Sequence, residues 1–110
     1  PEGKVKMFVR KFMRTHFPGH FYYSPMGGAF GKAGMPDHLY LWNGILVGIE
    51  IKADKGKLSS LQDETLKQMA AQGALCAVVY GQDEAKMLRI KAAILNEHAK
   101  RTANVATSSV

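Results

Sequence analysis

The sequence predicts one small α/β domain: a mixed β-sheet flanked by helices, in the order α-β-β-β-α-β-α. Three observations predict it. Apolar residues recur at helical spacing near both ends of the chain. Asn43-Gly44 sits between two runs rich in apolar and aromatic residues, the strongest short-range hairpin signal. Residues 74–80 are apolar without alternation, the pattern of a strand buried on both faces and typical of parallel pairing.

Residues 2–16 read as the first helix. Val5, Phe8, Val9 and Phe12 make its apolar stripe, and Lys4, Lys6, Arg10, Lys11 and Arg14 fall mostly outside it. Pro18-Gly19 ends it. Phe21-Tyr22-Tyr23 has the aromatic content of a short strand. Residues 24–36 are dense in glycine and proline and read as a loop. Residues 37–42 and 45–53 form the hairpin, followed by a polar Asp54-Lys55-Gly56-Lys57 turn. A second helix starts at Ser59 and runs to about Gln72, with Gly73 as its stop. Residues 83–100 form the last helix, with Leu88, Ala92 and Leu95 on one stripe and Met87, Ile90 and Ile94 beside it. The domain is expected over 1–101, and 102–110 read as a loosely ordered tail.

The hairpin carries the chemistry. With Asn43-Gly44 as its loop, Trp42 pairs with Ile45, and counting back puts Asp37 opposite Glu50. Such residues share a face, with Cβ atoms roughly 5 Å apart. Lys52, two residues on, points to that face as well. On the second strand Ile45, Val47, Ile49 and Ile51 face the core, whereas Leu46, Gly48, Glu50 and Lys52 face the site. Two carboxylates so close cannot both stay bare: one binds a proton or both bind a cation. A hard divalent metal fits oxygen ligands of this kind. Gly48 leaves room beside Glu50 for a metal or substrate.

Composition bounds the alternatives. The sequence has 110 residues, with 46% apolar and 22% charged, ordinary for a globular domain. No apolar run approaches the ~20 residues that span a bilayer, so no membrane role is expected. The basic, amphipathic N-terminal stretch lacks the apolar segment of a secretory signal. Cys76 stands alone, which excludes an intramolecular disulfide and a zinc cluster and fits a reducing cytoplasm. A net charge of +6 favours a polyanionic partner, of which nucleic acid is the usual one.

Pro36-Asp37…Glu50-Ile51-Lys52 resembles the PD-(D/E)xK nuclease signature. Gly34 ahead of it, Leu58-Ser59-Ser60-Leu61-Gln62 after it and the short length are similar to the VRR-NUC branch, the virus-type replication-repair nucleases, in its stand-alone phage or bacterial form. The resemblance covers roughly residues 2–81. It implies a restriction-endonuclease-like core and an Mg²⁺- or Mn²⁺-dependent DNA endonuclease in the cytoplasm of a bacterium or a phage-infected cell. It further implies a Holliday-junction-resolvase-like homodimer acting on branched DNA in repair or recombination. The implied metal ligands are Asp37, Glu50, the main-chain carbonyl of Ile51 and, more weakly, Glu2. Lys52 would hold the attacking water or the phosphate and stabilise growing negative charge.

Gln62 has two readings. It can close a capping box on Ser59, or, on a face shared with Leu66, Met69 and Gly73, point at the metal site. Glu2 can also be a first-turn Glu favoured by the helix dipole. Lys32, Lys55 and Lys57 are candidate DNA contacts. The basic first helix is either a further phosphate track or a solvated face. His38, Tyr40 and Trp42 share the hairpin's other face and pack under a helix or in a subunit contact. His16 and His20 make no zinc pair, because Pro18-Gly19 breaks the helix between them. Gly27–Lys32 fails as a phosphate loop, since Met26 and Ala33 stand where Gly and Ser/Thr are required. Two other functions fit the residues: a non-catalytic nucleic-acid-binding module on the same fold, and a nuclease for RNA or single strands.

Overall fold

The computed structural model describes residues 1–25 and 33–105. Its elements are α1 (Glu2–His16), β1 (Phe21–Tyr23), β2 (His38–Trp42), β3 (Ile45–Lys52), α2 (Ser60–Ala71), β4 (Leu75–Tyr80) and α3 (Glu84–Val105). The order is the one expected. The sheet runs β1-β2-β3-β4, antiparallel through β3 and parallel between β3 and β4. α2 makes the crossover that a parallel pair requires.

The β2–β3 turn is the two-residue loop that the sequence predicts. Asn43 and Gly44 have φ of 49° and 79°, the left-handed pair that suits the twist of a tight hairpin. Because the strand period is two, this turn fixes which face each side chain meets. Ile45, Val47, Ile49 and Ile51 are all buried against one core. That core includes Val5, Val9, Phe12 and Met13 of α1 and Met87, Ile90 and Ile94 of α3. His38 and Tyr40 lie on the same face, both buried, with the Tyr40 hydroxyl 3.0 Å from His38 Nδ1. Trp42 stacks edge-on against Phe17 and His98. The hairpin's aromatic face thus packs within the chain.

The opposite face of β3 carries Gly48, Glu50 and Lys52 and is covered by α2. Gly48 corrects one expectation. A Cβ there would lie 3.1 Å from Met69 Cε and 3.3 Å from Pro36 Cγ, so the space serves close packing of α2 and of the segment before Asp37, not a ligand. β4 pairs in parallel as expected, but only Val79 among its residues is fully buried. It is an edge strand, and the sheet's margin leaves the rest half-exposed. On α3 the buried stripe is Met87, Ile90 and Ile94, while Leu88 and Leu95 are exposed. α3 also continues through residues 102–105 of the segment read as a tail. Arg101 donates to the Gly44 carbonyl at 2.8 Å, which ties the end of the helix to the hairpin turn. Among the described residues, no helix is long and apolar enough to cross a membrane.

Candidate metal and catalytic centre

Asp37 and Glu50 meet as the register requires. The ladder from Trp42↔Ile45 to His38↔Ile49 continues by one step to Asp37 opposite Glu50. Asp37 stands just before β2, so its side chain takes over where the backbone ladder stops. Its Oδ2 accepts the Ile51 N–H at 2.8 Å. Ser24 Oγ donates to the Asp37 carbonyl at 3.0 Å and holds the backbone there. Gly34 enables the approach. Its φ of +83° is open to glycine, and a Cβ would sit 2.7 Å from Leu61 Cγ and 2.9 Å from Thr65 Oγ1 on α2.

Glu50 is 2% exposed. Its Oε2 accepts from Gln62 Nε2 at 2.8 Å and lies 3.3 Å from Lys52 Nζ. Its Oε1 is buried without a hydrogen-bond partner. Burial first, and the Asp37 charge second, push the Glu50 carboxyl up to about 7, against the opposing pull of Lys52. A buried carboxylate oxygen left unpartnered beside a second carboxylate is a poor resting arrangement for the protein alone. It is a fitting one for a hard cation.

Gln62 contacts Ser59 and Glu50 at once. Its Oε1 accepts the Ser59 N–H at 3.0 Å, and its own N–H donates to Ser59 Oγ at 3.1 Å, a complete capping box. The amide nitrogen of the same side chain is left to bind Glu50. The start of α2 therefore aims one residue at the helix terminus and the site at once.

The Ile51 carbonyl shares the Asp37 side. The Lys52 carbonyl accepts from Gly81 N–H at 2.9 Å on the β4 side, and successive strand residues turn their backbone groups to opposite neighbours. Ile51 therefore directs both its N–H and its carbonyl toward Asp37. Asp37, Glu50 and this carbonyl are the donors that can hold a metal. Among the described residues, no three His, Cys, Asp or Glu side chains cluster for that purpose.

Lys6 is the residue that sequence reasoning missed. Its Nζ lies 3.7 Å from Asp37 Oδ1 and 3.6 Å from Glu2 Oε1. The i,i+4 spacing from Glu2 signals the first contact, but the second depends on how α1 docks. Glu2 itself is exposed and reaches the centre only through Lys6. Lys55 and Lys57 are exposed on the connection between β3 and α2, with no contact to the carboxylate pair. Lys32 lies outside the described residues.

No family model and no curated protein sequence matches this chain. A solved structure described as a VRR_NUC domain does match it in three dimensions. The match covers 81% of this chain and 91% of that one, with a TM-score of 0.63 and 18% sequence identity. The fold is that of a VRR-NUC domain. At this identity the likeness concerns the fold alone, a restriction-endonuclease-like α/β core. In this VRR-NUC fold the carboxylates stand on the β2–β3 hairpin, and α2 supplies Gln62.

Proposed function

We propose that this chain is a metal-dependent endonuclease hydrolysing phosphodiester bonds in DNA, selective for branched structures in the manner of a Holliday-junction resolvase. The observation that carries the reading is the buried, unpartnered Glu50 oxygen beside Asp37, with Lys52 3.3 Å from the same carboxylate. The nuclease-class fold and the charge of +6 support it.

Asp37, Glu50 and the Ile51 carbonyl would hold Mg²⁺ or Mn²⁺, hard cations that prefer oxygen ligands. When bound, such a cation polarises a phosphate and lowers the pKa of a coordinated water. The chain's own residues do the rest. Ile51 N–H fixes Asp37 Oδ2, and Oδ1 stands 3.7 Å from Lys6 Nζ. Gln62 fixes Glu50 Oε2, and the buried Oε1 keeps no hydrogen-bond partner. Lys52, whose side chain is 15% exposed, keeps an ammonium where a phosphoryl oxygen or attacking water would stand, and it offsets the charge that grows there. Lys32, Lys55 and Lys57 would meet the DNA backbone. A homodimer presenting two centres to one junction completes the reading, and a domain this small gains buried surface by pairing.

Lys52→Ala tests the mechanism. Cleavage should be lost while DNA binding largely survives, and full activity would sink the role of Lys52. A monomer at micromolar concentration, with and without junction DNA, would remove the resolvase-like dimer. One observation favours a second reading, a non-catalytic binding module. Lys6 and Lys52 already neutralise the two carboxylates, and no third acidic ligand joins them among the described residues. Metal-independent binding without cleavage of any substrate would decide for it. Competition between RNA, single strands and branched DNA separates the remaining substrate classes.

A further inference from the structure

We propose that the groove beside α1 is a track that leads one DNA strand into the Asp37–Glu50 centre, with Lys6, Arg10 and Arg14 as its phosphate contacts. The inference rests on the reading of the chain as acting on DNA.

Lys6, Arg10 and Arg14 follow one another at i,i+4 and so stand in a row along α1, about 6 Å of rise per step. The row spans about 12 Å, room for a short run of successive phosphates. The same three residues share one concave surface with Tyr22, Ser24 and His38. Its near end is the catalytic centre itself, because Lys6 lies 3.7 Å from Asp37 Oδ1 and Ser24 binds the Asp37 carbonyl.

Arg10 is set in place before any ligand arrives. Its guanidinium lies 3.6 Å above the Tyr22 ring and 5.4 Å from the Tyr40 ring. Nη1 is 3.0 Å from His20 Nε2, and His20 Nδ1 is 2.7 Å from the Phe17 carbonyl. A carbonyl can only accept, so His20 carries its proton on Nδ1 and offers Nε2 as an acceptor to Arg10. One nitrogen of Arg10 is thereby engaged. A guanidinium has five N–H donors, and the remainder suit bidentate capture of a phosphate. Neither Arg10 nor Arg14 is ion-paired with a carboxylate among the described residues, whereas Lys52, Lys67 and Arg101 are. A stacked, preorganised arginine with no acidic partner has its charge available for an external anion. Lys6 would exchange Asp37 for a phosphate at the end of the track nearest the cut.

The test is the binding of a labelled linear DNA duplex in EDTA, followed by fluorescence anisotropy over a range of salt. Arg10→Gln and Arg14→Gln are each expected to lower the slope of log K against log salt by about 0.9, and the double variant by about 1.8. Lys100→Gln removes the same charge from the exposed end of α3 and is expected to keep the wild-type slope. Arg14 is exposed, so its variant reports even if removing the stacked Arg10 disturbs folding. Wild-type slopes in the folded arginine variants would overturn the track. So would an equal loss in Lys100→Gln, or a wild-type chain that binds no DNA. Cleavage is scored separately. Lost slopes without any cleavage refute the nuclease and keep the track, whereas cleavage with unchanged slopes refutes the track and keeps the nuclease.

Discussion

Replacing Glu50 by Gln should make the metal-free protein more stable at neutral pH, although it removes a site residue. The folded chain holds the Glu50 carboxyl up to about 7 from an ordinary value of 4.5, through burial and the neighbouring Asp37. Because the folded-state pKa is raised, the native state binds a proton that the unfolded chain releases. The contribution to stability is therefore greatest at acid pH, falls as pH climbs through that interval, and is level above it. At about 1.4 kcal/mol per unit, the native state gives up about 3 kcal/mol by the time Glu50 is ionised. The substituted glutamine has nearly the same shape and no charge, so it avoids that cost while losing the ion pair with Lys52. In a domain of this size each kcal/mol moves Tm by about 4 °C, so the variant should melt up to ~10 °C higher than wild type at about pH 8 in EDTA. The two should converge near pH 5. Thermal melts of both proteins across that range check the claim. A variant that is less stable at about pH 8, or a difference that does not vary with pH, would refute the reasoning.

The remaining predictions concern the shell around that carboxylate. Ser59→Ala breaks half of the capping box and should cost about 1 kcal/mol in a urea melt while cleavage survives. Gln62→Ala should cost at least as much and also depress cleavage, because the Gln62 side chain bonds both Ser59 and Glu50. Gly34→Ala should destabilise by about 1–2 kcal/mol from its left-handed backbone alone, before the clash with Leu61 and Thr65 is counted. Mn²⁺ at a hundredfold excess over its dissociation constant should stabilise wild type by about 2.7 kcal/mol, an effect that Glu50→Gln should abolish. Equal stabilisation of the two proteins would place the metal elsewhere.

Much of the site was legible because it depends on local rules. Asn43-Gly44 fixes the turn, the turn fixes the register, and the register brings Asp37 to Glu50 without reference to the rest of the fold. The apolar alternation of Ile45, Val47, Ile49 and Ile51 assigns the two faces in the same way. Ser59 and Gln62 were legible as a capping box from their spacing. That the same glutamine also reaches Glu50 depends on where the crossover sets α2 down. Contacts between elements distant in sequence left weaker signals. Lys6 looks like one basic residue among several until α1 docks beside Asp37. Gly48 looks like an opening until Met69 and Pro36 fill it. On α3, two adjacent apolar stripes compete, and only the docking angle decides that Met87, Ile90 and Ile94 go inward.

The central claim is that Asp37, Glu50 and Lys52 form a metal-dependent centre for cutting DNA. Its most direct test incubates the purified protein with a labelled four-way junction and a matched linear duplex, in Mg²⁺, in Mn²⁺ and in EDTA, beside Lys52→Ala. The account predicts symmetric nicking of the junction that requires the metal and disappears in the variant. Tight binding with no cutting of either substrate in either metal would contradict it.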